Sequence, residues 1–210
     1  MYNLSHFKAA SQLEVIEFMK AHPFIILCGV GENNTPVATH VPVLIEERND
    51  KIFIHAHVMR KQLHTTAFEK NNKVLCIFSG THTYVSATIY KQQNTASTWN
   101  YQAVHATGIL QFLGEDALHT LLAKLTDNFE KNPHSPAALK NMESEYVSLM
   151  MKAIVAFEIE ITDMQHVFKL SQNKEKETYN NIASELSKGD VQAIEVANIM
   201  NDRKDKVFPA

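Results

Sequence analysis

The sequence predicts a mainly β, α+β fold: an antiparallel closed or split β-barrel with peripheral helices and a C-terminal helix pair. Three observations predict it. Seven strand-like runs are separated by few helices, in the order helix, three strands, helix, three strands, helices, strand, helices. Several of these runs are continuously apolar or alternate with period two, as buried and half-buried strands do. The chain also lacks GxGxxG, GxxxxGK[ST] and GxSxG, so Rossmann, P-loop and α/β-hydrolase readings have no support.

The elements follow in order. Ser11 to Glu14 reads as a capping box, and Val15, Phe18 and Met19 give an apolar face to a helix over 11–21. Pro23 stops it. Phe24 to Val30 reads as a buried strand, and Gly31 to Asn34 as a turn of residues that tolerate positive φ. Pro36 to Glu46 and Lys51 to Val58 are the next strands, joined by a turn over 47–50. Alternation in the second puts Phe53, His55 and His57 on one face and Ile52, Ile54 and Ala56 on the other. Arg60 to Lys70 reads as a short helix.

Lys73 to Gly108 forms the middle of the chain. It holds strand runs at 74–78 and 83–90 and the start of a third at 101–112, together with the single tryptophan, Trp99. Aromatics facing small polar residues suit a flat, partly polar ring system, or equally an aromatic barrel core. Leu118, Leu121, Leu122 and Leu125 mark a helix over 116–132, and 137–151 is helical again after Pro133 and Pro136. Ile154 to Phe168 alternates as a half-solvated strand. Helices at about 174–187 and 190–200 end the chain. The length of 210 residues fits one domain over 1–210, the helices forming an extension at about 174–203.

Composition narrows the function. Net charge is −3, and no lysine or arginine block gives a nucleic-acid footprint. The second C-terminal helix offers Gln192, Glu195, Asn198 and Asn201 and no arginine before Arg203, which argues against direct DNA reading. No apolar run approaches the roughly 20 residues that span a bilayer, and the N-terminus lacks a signal-peptide core, so a cytoplasmic protein is expected. Cys28 and Cys76, each within an apolar run, read as buried reduced thiols. His55 and His57 could be a metal pair, but no spacing supplies further ligands, and no metal is expected.

The sharpest local signal runs from Met59 to His64. Arg60 and Lys61 stand at the start of a helix, where the macrodipole disfavours cations, so an anion such as phosphate is expected there. A solvated basic turn is the bland alternative. Asp116, Glu158 and Glu160 have no spacing that marks an acid and base pair, and no catalytic residue is assigned.

Met1-Tyr2 with His6-Phe7, Ala38 to Pro42, Phe78 to Ser86, Thr98 to Tyr101 with Val104 to Gly108, and Phe168 to Asn173 occur in this order. Together the chain resembles the PaiB-type, FMN-binding negative transcriptional regulator family over nearly its whole length. The resemblance implies a split barrel related to pyridoxamine-phosphate oxidases, a homodimer, and FMN at the dimer interface. It places Arg60 and Lys61 at the FMN phosphate, Thr39, His40 and Val41 on the strand under the flavin, and Trp99, Asn100 and Tyr101 where a partner subunit meets it. Lys169 and Gln172 are candidates near the same site, and His55 and His57 are candidates for the polar lining. Leu4, the run from Ile54 to Leu63, and Ser97 depart from the family's usual pattern. A regulator acting through its flavin, a small-molecule ligand or a partner protein is the leading expectation. An FMN-dependent oxidoreductase and a haem-binding or haem-degrading barrel are the alternatives.

Overall fold

The computed structural model describes residues 1–92 and 94–209. Helices α1 (Gln12–Ala21), α2 (Leu63–Lys70), α3 (Glu115–Glu130), α4 (Ser144–Met151), α5 (Lys176–Leu186) and α6 (Val191–Val207) accompany seven strands. These are β1 (Phe24–Val30), β2 (Pro36–Pro42), β3 (Leu44–Arg48), β4 (Lys51–Met59), β5 (Lys73–Val85), β6 (Thr98–Phe112) and β7 (Ile154–Lys169). They form one antiparallel sheet in the order β2-β1-β5-β6-β7-β4-β3. The chain clusters into two compact units, 1–17 with 79–104 and 165–210, and 18–78 with 105–164.

The second of these units holds the barrel's closure. The sequence reads as one strand over 36–46, but the structure bends it at Val43, just after Pro42, into β2 and β3. Val43 is buried and donates its N–H to Pro23 O at 2.8 Å. β2 pairs with β1 at one edge of the sheet, while β3 pairs with β4 at the other. The run from Pro36 to Arg48 therefore carries the chain from one edge to the other, and β2 packs against β4. This closure is the defining feature of the split barrel.

Alternation selects which side chains fill the barrel. On β4, Ile52, Ile54, Ala56 and Val58 are buried, while His55 and His57 lie on the opposite, half-exposed face. Cys28 and Cys76 are free thiols, and burial pushes the Cys76 pKa up to about 12. Phe68 on α2 lies against Gly29, where a Cβ would come within 2.6 Å of its ring, so glycine allows this close approach. Leu118, Leu121 and Leu125 of α3 pack on Ala156 of β7.

In the other unit, α5 and α6 share a core of Tyr179, Ile182, Ala183, Leu186, Val196, Ala197 and Met200 with Val85 and Leu170. Asp190 caps α6 by accepting from Ala193 N at 2.9 Å. Half of the predicted capping box forms: Ser11 Oγ accepts from Glu14 N at 3.2 Å, while Glu14 Oε2 reaches one residue past Ser11 and accepts from Ala10 N at 2.6 Å. The expected strand at 83–90 divides. Residues to Val85 extend β5, and Ser86 starts a short 3₁₀ turn by accepting from Thr88 N.

Candidate functional site

The turn after β4 is built differently from the helix start expected at Arg60. Lys61 takes a left-handed backbone with φ 59°, and α2 begins only at Leu63. Arg60 and Lys61 thus stand in the turn ahead of the helix instead of in its first turn. Two bonds set the turn. Arg60 N donates to Ala153 O at 2.8 Å, and Thr65 Oγ1 donates to Met59 O at 2.7 Å. No side chain caps α2, whose N-cap residue is Gln62. The first-turn N–H groups of α2 are left without a side-chain cap, and the two exposed cations that precede them make no ion pair among the described residues.

Beside it, the outer face of β4 carries His57 and His55. His57 is half-buried, its Nδ1 has no hydrogen-bond partner among the described residues, and burial lowers its pKa. His55 Nε2 lies 3.1 Å from Glu46 Oε2 and 3.7 Å from Glu158 Oε2, off the hydrogen-bond direction to either. Burial lowers its pKa and outweighs the two carboxylates, which act to raise it. Arg48 donates to Glu158 at 3.1 Å and stacks 4.0 Å over the Phe53 ring. His55 therefore belongs to a charged cluster in a cleft of about 760 Å³ between β3, β4 and α3.

On β2, Thr39 is half-buried and Val41 is buried. His40 is exposed, its ring stacked 5.9 Å from that of Phe24.

The unit containing the start of β6 holds the aromatic candidates. Trp99 and Tyr101 share one face, and Asn100 the other. Trp99 is exposed and lies 5.9 Å from the rings of both His82 and Tyr84. It lines a shallow hollow of about 300 Å³ with Ser79, His82, Tyr101 and Gln102. Burial raises the Tyr101 pKa. Asn100 is fully buried. It accepts from Ser171 Oγ at 3.0 Å, and its amide meets Met200 Sδ at 3.5 Å, which is a framework role.

Lys169 donates to Thr98 Oγ1, and its ammonium sits 5.8 Å from the Tyr2 ring centroid and 5.9 Å from that of Phe7. Burial, then the nearby Lys174, lowers its pKa. The Gln172 amide is committed to the backbone: Oε1 accepts from Leu170 N at 2.6 Å and Nε2 donates to Phe168 O at 2.5 Å. It holds the turn in which Ser171 has φ 62°.

Some functional residues are invisible to sequence reading. Thr65 is one, a plain helical threonine until its hydroxyl is seen closing the turn. Glu46 and Arg48 beside His55 are others, since the register that joins them is tertiary. Among the described residues, no group of three or more His, Cys, Asp or Glu could hold a metal ion, and no helix is long and apolar enough to cross a membrane.

Residues 1–163 match the family described as "Putative FMN-binding domain". Protease synthase and sporulation protein PAI 2 of Bacillus subtilis is 30% identical over 207 residues, covering 98% of this chain and 99% of its own length. The FAD and haem binding protein of Mycobacterium smegmatis is similar in structure, with TM-score 0.57, 16% identity, and coverage of 77% of this chain and 72% of that one. A conserved hypothetical protein of Mycobacterium tuberculosis has TM-score 0.56 and 12% identity, covering 80% and 90% of the two chains. These two structural likenesses concern the fold. With the full-length match to the Bacillus protein, the chain belongs to the FMN-binding split-barrel family of the PaiB type.

Proposed function

We propose that this protein is a negative transcriptional regulator that acts as a homodimer, and whose output follows the state of its FMN or of a small ligand beside it. The observation that carries the flavin site is the turn at Arg60 and Lys61. Its uncapped helix end and two free cations fit a phosphate, and His57, with its unpartnered buried Nδ1, fits a polar ligand edge. Thr39 and His40 would lie under the ring system, and Trp99, Tyr101 and Lys169 would meet it from the partner. When bound, the flavin supplies redox chemistry. The chain's own residues bind and orient it.

Binding rather than turnover is favoured because both candidate carboxylates on β7 are held in ion pairs. Glu158 pairs with Arg48, and Glu160 with Lys51 at 2.6 Å. Regulation through a partner protein or metabolite fits the exposed Gln192, Glu195, Asn198 and Asn201 on α6, none of them basic. A second reading, an FMN-dependent oxidoreductase acting on a small molecule, draws on the hollow beside Trp99, which is open to a flat ring.

The test is a titration of the wild type and of Arg60→Ala with Lys61→Ala against FMN and riboflavin, which differ only in the phosphate. Hydrogen bonds to charged groups contribute about 1.5–3 kcal/mol each, so losing both costs roughly a hundred-fold to ten-thousand-fold in FMN affinity. Riboflavin affinity should hold, because both residues are exposed and fill no core. An unchanged FMN affinity in the folded variant refutes the phosphate site. Transcript profiling of a strain lacking the gene tests regulation: derepressed transcripts are expected, and an unchanged profile refutes it. Turnover with a reduced nicotinamide donor supports the oxidoreductase instead.

A further inference from the structure

A second basic site lies in the unit formed by the chain termini. A cleft of about 240 Å³ opens between the N-terminal segment and the end of α6, lined by His6, Lys8, Gln172, Arg203 and Lys206. Its ionisable lining residues are all basic. Gln172 is held by the backbone at both ends of its amide.

Arg203 is the centre of the cluster. It is largely buried, with its guanidinium carbon 5.5 Å from the Phe168 ring centroid. Its Nη1 pairs with Glu14, yet its Nε is buried with no hydrogen-bond partner among the described residues. A buried donor left unmade is costly, and most native ones find an acceptor. Glu14 cannot supply a second bond easily, since its other oxygen already accepts from Ala10 N. Lys8 Nζ donates to His166 O at 3.1 Å, which fixes the ammonium without neutralising it. Lys206 and His6 are exposed and make no ion pair among the described residues. Of the lining cations Lys8, Arg203 and Lys206, only Arg203 has an ion pair among the described residues, with Glu14, so two positive charges stay unpaired before His6 is counted.

The negative end of the α6 dipole accounts for lysines in its last turn, Lys204 and Lys206. It does not account for Lys8 and His6, which come from the N-terminal segment and bring further basic groups to the cleft. An oxyanion accounts for that convergence, offsetting the excess charge with charge-assisted bonds. The volume is below the roughly 300–1,000 Å³ of pockets that enclose drug-sized ligands, so the site suits one anionic group and not a flavin ring.

We infer that this cleft binds a small oxyanion, the phosphate or carboxylate group of a low-molecular-weight metabolite, separately from the flavin phosphate. Such a ligand ties the N-terminal segment to α6 and stabilises the folded protein by mass action.

The experiment uses the full chain saturated with FMN at constant ionic strength. Inorganic phosphate and citrate are titrated separately by calorimetry, and the shift in melting temperature is followed in parallel. Saturable binding of at least one is expected, and the stronger of the two identifies the anionic group. Lys206→Gln should weaken it several-fold, and Lys206→Glu should abolish both the heat and the melting shift. Both variants should keep wild-type FMN affinity, because Lys206 is exposed and makes no ion pair among the described residues. Without added anion, Lys206→Gln should melt near the wild type and Lys206→Glu slightly lower, since it sets a carboxylate at the negative end of α6. Absence of saturable binding of either anion overturns the inference, as does binding that Lys206→Glu leaves unchanged. Competition between FMN and phosphate in the wild type would assign the cleft to the flavin and overturn it too. A flavin site lost on Arg60→Ala with Lys61→Ala, while phosphate binding persists, separates this result from the fate of the flavin proposal.

Discussion

Thr65 Oγ1 donates to the carbonyl of Met59 across 2.7 Å, tying the first turn of α2 to the end of β4. Thr65 is buried, so this carbonyl has no ready solvent replacement. Between the two residues stand Arg60 and Lys61. The bond therefore sets the span over which the two cations and the open helix end can converge. Thr65→Val keeps the shape and removes the donor. It should cost about 1–2 kcal/mol of stability and weaken FMN more than riboflavin. Urea denaturation and paired titrations measure both. Thr65→Ser retains the hydroxyl and should keep the FMN preference; if it loses the preference as fully as valine does, the bond is not what shapes the turn.

At Gly108, β6 lies tight against β7. A Cβ there would lie 2.5 Å from both Glu160 O and Ile159 Cγ2. One contact is backbone, which cannot rotate aside. Gly108→Ala should therefore push the strands apart and destabilise by about 1–3 kcal/mol, read as a lower denaturation midpoint. An unchanged midpoint would mean that the sheet yields at this crossing without cost.

Much of this architecture is legible in the sequence because its signals are local. The apolar run at Phe24–Val30 gives β1 with the expected bounds, and the capping box at Ser11 and Glu14 opens α1. The positive φ values at Asn33 and Asn34 sit in the turn where they are expected. What fails locally is decided tertiarily. Val43 reads as one more strand residue, and only the need to cross between sheet edges makes it a corner. Lys61 is no glycine or asparagine, so nothing announces its left-handed φ, and the helix was expected three residues early. The pairing of Arg203 with Glu14 joins residues 189 positions apart, beyond any periodicity. Arg60 and Lys61 stand out in the sequence because cations are out of place before a helix. The resemblance places Asn100 with Trp99 and Tyr101, although strand alternation turns its side chain to the opposite, buried face.

Stability should fall with acid. Burial lowers the pKa of His55, His57, His64, His105 and His166 below the ordinary 6.5. In the unfolded chain these groups regain that ordinary value. As pH drops below about 6.5, the unfolded state takes up protons that the folded state refuses, so unfolding is favoured. The stability present above that pH is lost progressively until the folded-state values are reached. Each histidine adds up to about 1.4 kcal/mol per pH unit within its window. Denaturation midpoints at pH 7.5 and 5.5 should differ in that direction, and His57→Gln should flatten the slope. A midpoint that rises on acidification would show that the buried imidazoles do not govern it.

Trp99 and Tyr84 make the case for a second copy of the chain. They are each 52% exposed and meet edge to face at 5.9 Å, a large apolar surface to leave in water. From Tyr84 to Tyr101 the sole charged residue is Lys91, and Glu177 pairs with it at 2.7 Å. Interface cores are depleted in charge and rich in such aromatics, and tryptophan is a frequent energetic anchor. Truncating an anchor of this kind costs about 2 kcal/mol or more, a factor of about thirty in dissociation constant. Trp99→Ala should therefore shift sedimentation from dimer toward monomer at micromolar concentration, and Trp99→Phe should shift it less. Both variants should keep their secondary structure, since an exposed ring contributes little to the fold. A wild-type protein that sediments as a monomer with FMN bound would refute both the interface and any flavin site completed by a partner subunit.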